Sequence, residues 1–76
     1  MARNKPDIGK ISRDLPRAAL AARVAFRAQR ARAGTPGSFW MRPEQYAEMI
    51  NALRGSGFDV ARGVVLDGVP VKPYAS

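Results

Sequence analysis

The chain has 76 residues, 46% of them hydrophobic, and a formal charge of +7 with no cysteine and no histidine. That length allows one domain and only a small core. Disulfide staples and thiolate metal sites are excluded, and the commonest general base and zinc ligand is missing.

The charge is lopsided. Residues 1–37 hold nine Lys/Arg against two Asp, whereas residues 38–76 hold four of each sign. A neutral packed unit thus carries a basic extension, of the kind that meets nucleic acid, an acidic protein face or an anionic membrane. No run of about 18 apolar residues is present, so no transmembrane helix is expected. The N-terminus lacks the apolar stretch of a signal peptide, and Asp7, Asp14 and the early prolines argue against a transit peptide.

Residues 1–14, MARNKPDIGKISRD, show no period, and Pro6 and Gly9 interrupt any helix. They read as an extended arm. It is either a solvated terminus or a segment laid along a neighbour, with Ile8 and Ile11 as anchors amid Lys5, Lys10 and Arg13.

Residues 15–33 read as a helix rich in Ala and Arg, both strong helix formers. Asp14 is placed to cap it, Pro16 fits its first turn, and Gly34 with Pro36 ends it. On the wheel, Leu15, Ala19, Ala22 and Phe26 share one face. Arg23, Arg27 and Arg30 form the adjacent stripe, and Leu20, Val24 and Ala31 a second apolar face beyond it. One short partner helix cannot cover both apolar faces.

Thr35-Pro36-Gly37-Ser38 is a turn or linker. Phe39-Trp40-Met41 is the densest apolar cluster and reads as a short strand or a staple onto the next helix. Trp40 is the best single candidate for a core or interface anchor, with the core favoured. The second helix, residues 43–54, starts at Pro43 with Glu44 in its first turn. Tyr46, Met49, Ile50 and Leu53 make its apolar stripe, and Gly55-Ser56-Gly57 stops it. Phe39, Trp40, Tyr46 and Met49 are the expected packed unit.

Residues 62–72 read as a hairpin turning at Asp67-Gly68, the dipeptide a type I′ turn favours. Pro70 cannot donate to a ladder, which points to an edge strand or an outward-facing N–H. The expected fold class is α+β: an arm over 1–14, then a single small domain over 15–76 with two helices and a C-terminal hairpin.

No catalytic constellation emerges. Glu44 and Glu48 are spaced i, i+4, but they lie off the apolar stripe and read as a solvated helix face. Ser and Thr lack a histidine to activate them, and no phosphate-loop pattern occurs. The expectation is no enzyme, no metal and no cofactor. Membrane-surface binding is disfavoured because the arginine stripe lies between apolar faces, rather than opposite one. Protein assembly accounts for the arm, the two-faced helix and the hairpin edge together, with Ile8, Ile11, Leu20, Val24 and Trp40 as partner contacts. Arg17, Arg23, Arg27, Arg30 and Arg32 would meet acidic surfaces. The alternative is a basic nucleic-acid-binding regulator, or one that acts on host transcription, following phosphates through the same arginines.

From MRPEQYAEMINALRGSGF to VVLDGVPVKPY the chain resembles small accessory proteins of tailed bacteriophages, which pair a short helix with a Gly-Val/Ile-Pro-Val hairpin and carry a basic arm or helix. The resemblance implies a virion role, with many copies bound to capsid or head–tail neighbours and DNA contact through the basic helix as a further option. Location would be the virion, and the host cytoplasm during assembly.

Overall fold

The computed structural model describes residues 5–11 and 14–74. The element order is α1 (Arg17–Ala33), β1 (Phe39–Met41), α2 (Pro43–Gly55), β2 (Val65–Leu66) and β3 (Val69–Pro73). The class is α+β, with two helices packed on a three-stranded sheet of order β1-β3-β2.

Helix α1 begins two residues later than its sequence pattern suggested. Asp14 does not cap it. That residue has φ +60°, and the N-cap is Pro16, which makes no side-chain cap bond. The Pro16 carbonyl instead accepts the N–H groups of Ala19 and Leu20. Helix α2 begins at Pro43, and the backbone around Ser56-Gly57 closes it with N–H bonds back to Ala52, Leu53 and Arg54. Ala19, Ala22 and Phe26 of α1 meet Met49 and Leu53 of α2 in one buried cluster with Phe39, Met41, Leu66, Val69 and Val71. Phe26 sits edge-on to Phe39, with ring centroids 5.4 Å apart. Such a contact adds about 0.5–1.5 kcal/mol to the burial itself.

The hairpin turns where expected. Asp67 and Gly68 both have positive φ, 49° and 85°, as a type I′ turn demands. Its place in the sheet is different. β3 is the central strand, antiparallel to β2 and parallel to β1. Pro70 is tolerated there because β1 first pairs opposite Val71, so no β1 residue stands opposite Pro70 to need its N–H. The parallel β1·β3 pair requires a crossover connection, and α2 with the loop after it supplies one.

The largest departure concerns the arm. Asp7 forms a parallel bridge to Val65. The Ile8 N–H donates to the Val65 carbonyl at 2.9 Å, and the Val65 N–H donates to the Pro6 carbonyl at 3.0 Å. The described arm therefore covers the outer edge of β2, and Ile8 is 0% exposed in the core. The expected partner anchor is an intramolecular one, because a short chain gains more from burying its largest apolar side chains than from holding them out. Residues 1–4, 12 and 13, with Arg13 among them, lie outside the described residues.

Gly9 marks the closest approach. A Cβ there would fall against the Asp67 carboxylate and 2.8 Å from the Asp67 nitrogen. Gly9→Ala is expected to cost about 1–3 kcal/mol, as overpacking does, read as a lower urea midpoint. An unchanged midpoint would mean the turn moves aside freely.

Candidate functional site

The arginine stripe faces inward, towards its own chain. Arg23 Nη1 donates to the Ile11 carbonyl and Arg27 Nη2 to the Gly9 carbonyl, each at 3.0 Å. Arg30 Nη1 bonds Asp67 Oδ2 at 3.0 Å while its guanidinium lies 5.4 Å from the Phe26 ring centroid. Arg27 Nε stands 3.6 Å from the same carboxylate oxygen. Three residues on one helical stripe thus tie together the arm and the tip of the hairpin. The ion pairs are partly exposed and contribute about 0.2–1 kcal/mol each.

Asp7 completes this clasp from the other side. Its Oδ1 accepts the N–H groups of Gly9 at 2.9 Å and Asp67 at 2.8 Å, and its Oδ2 accepts that of Gly68 at 3.1 Å. The Asp7-x-Gly9 half is a local Asx turn, readable in principle from sequence. The half that reaches residues 67 and 68 has no local signal.

The remaining site residues lie elsewhere. Ile11 is half-buried and packs against the core, and Arg17 and Arg32 are exposed near the two ends of α1. Leu20 and Val24 stand open, 37% and 68% exposed. Trp40 is 46% exposed and leaves the expected packed unit. The cause is strand alternation: Phe39 and Met41 point into the core, so Trp40 between them points out. It stacks on Tyr74, with centroids 5.8 Å apart and planes 22° apart, and the Lys72 Nζ lies 5.8 Å from its centroid.

Trp40 and Tyr74 border a groove of about 390 Å³. Ala18, Ala21, Ala22 and Ala25 of α1 form one wall; Trp40, Met41 and Tyr74 line the sheet side, and Arg42, Gln45 and Glu48 line the side towards α2. Leu20 and Val24 are not part of this lining; with 3.6 residues per turn they point away from it, towards solvent. Tyr74 and the alanine wall were not singled out by the sequence, where alanine reads only as helix propensity. The groove surface can bury apolar side chains of another molecule. Among the described residues no set of three or more His, Cys, Asp or Glu gathers to hold a metal ion, and no helix is long and apolar enough to cross a membrane. Compared with known proteins, the chain matches no family model, no curated protein and no solved structure.

Proposed function

We propose that this chain is a small assembly protein that docks onto a neighbouring protein, and that its setting is the virion of a tailed phage. The observation that carries the docking reading is the groove itself: a wall of alanines on α1 faces a lip of two exposed aromatic rings, Trp40 and Tyr74. Aromatic residues beside a desolvatable apolar trough are the usual anchors of protein interfaces. The role is structural rather than catalytic in this reading. The virion setting rests on the resemblance of the second helix and the LDGVPV hairpin to phage accessory proteins.

Nucleic-acid binding has less support. Arg23, Arg27 and Arg30 donate to the chain's own carbonyls and to Asp67, which leaves Arg17 and Arg32 of the five arginines without such a tie among the contacts described. The experiment is mass spectrometry of purified virions from the phage that encodes the chain. Stoichiometric presence is expected, and absence from the particle overturns the virion setting.

A further inference from the structure

We infer that the groove beside Trp40 receives an amphipathic helix of another protein, one whose polar flanks are acidic. This rests on the docking reading above and adds the shape and charge of the partner.

Shape comes from α1. Ala21, Ala25 and Ala28 make an uncharged exposed strip along the helix, rising about 10 Å at 1.5 Å per residue. The alanines present no bulk, so a partner helix can approach to the 8–10 Å spacing of packed helices. The alanines then form one side of the trough, and Trp40 with Tyr74 the opposite lip. An extended peptide added to β1 gains little by comparison, because that strand is three residues long. This is the helix-in-groove mode, with anchors at i, i+3, i+4 and i+7.

Charge comes from the rim. Arg17 and Arg32 stand near the two ends of the strip, Arg42 lines the groove, and Lys72 overhangs Trp40. Among the described residues Glu48 is the one carboxylate in the lining. An acidic partner complements this rim, whereas a second copy brings the same cations and another +7 against it.

Trp40 is the sole tryptophan, so its emission reports the groove directly. The full chain is titrated with synthetic 18-residue peptides: one with leucines at i, i+3, i+4 and i+7 flanked by glutamates, one with the same leucines flanked by lysines, and one with the acidic composition scrambled. The acidic amphipathic peptide is expected to give a saturable blue shift, with affinity at least ten-fold above the other two. Ala25→Glu is expected to weaken it at least ten-fold while leaving the far-UV circular dichroism and melting point of the free chain unchanged, since Ala25 is exposed on α1. Equal response to the scrambled or lysine-flanked peptide, no response to any, a shift produced instead by a 20-nucleotide single strand, or a dimer of the free chain by sedimentation that covers Trp40 would each overturn the inference. A chain present in virions that ignores the acidic peptide overturns the partner's chemistry alone.

Discussion

Phe26→Ala is expected to cost about 3–5 kcal/mol, the usual range for emptying a buried aromatic site. Phe26 is 0% exposed and joins three parts of the fold: the buried face of α1, Phe39 of β1, and the Arg30 guanidinium that reaches the hairpin tip. For a chain of 76 residues the total stability is on the order of 4–11 kcal/mol, so the variant loses between roughly a quarter and all of it. Urea denaturation followed by far-UV circular dichroism measures this. Trp40 fluorescence is the poorer reporter, because that ring is already half-exposed in the native state. A loss below about 1 kcal/mol would show that α1 is held mainly by its arginines.

Asp7→Ala is the second large effect. One carboxylate accepts three backbone N–H groups, from Gly9, Asp67 and Gly68. Removing it leaves part-buried donors without a partner, at about 2 kcal/mol once water access to Gly68 is allowed for. Asp7→Asn keeps one acceptor oxygen and is expected to cost about half as much. Hydrogen exchange separates this from a general loosening: the Asp67 and Gly68 amides should exchange faster in Asp7→Ala by a larger factor than the amides of α2. Uniform acceleration would place the effect in global stability instead. A cost under about 1 kcal/mol would mean that Ile8 alone holds the arm.

Elements with a local code were legible in the sequence. α2 was marked at both ends, by Pro43 and by Gly55-Ser56-Gly57, and its stripe of Tyr46, Met49, Ile50 and Leu53 is its inner face. The Asp67-Gly68 turn followed from the φ values those two residues tolerate. The inner face of α1 was legible for the same reason: Ala19, Ala22 and Phe26 recur at helical spacing and are buried. What failed was long-range. β3 became central because β1 pairs with it in parallel, and no three-residue segment such as FWM announces its partner. The arm seemed free because Pro6 and Gly9 deny it a period. Its structure comes from residues some sixty positions away. The arginine stripe was located on α1 but not its destination, since a guanidinium reads alike whether it faces a phosphate or a backbone carbonyl. Trp40 was misjudged for want of a strand register, which alone decides whether the middle residue of FWM points in or out.

The clasp between Asp7 and the hairpin tip also sets when the chain can fold. Asp7 and Asp67 are sixty residues apart, and at about 5–20 residues per second a ribosome needs roughly 3–12 s to make that interval. During that time Ile8 has no β2 edge to lie against, and the inner face of α1 has no sheet. Contacts of such long sequence separation also slow folding after release. The nascent chain therefore emerges with its most basic half unpacked, and that half acquires its structure only once β2 and β3 have been synthesised.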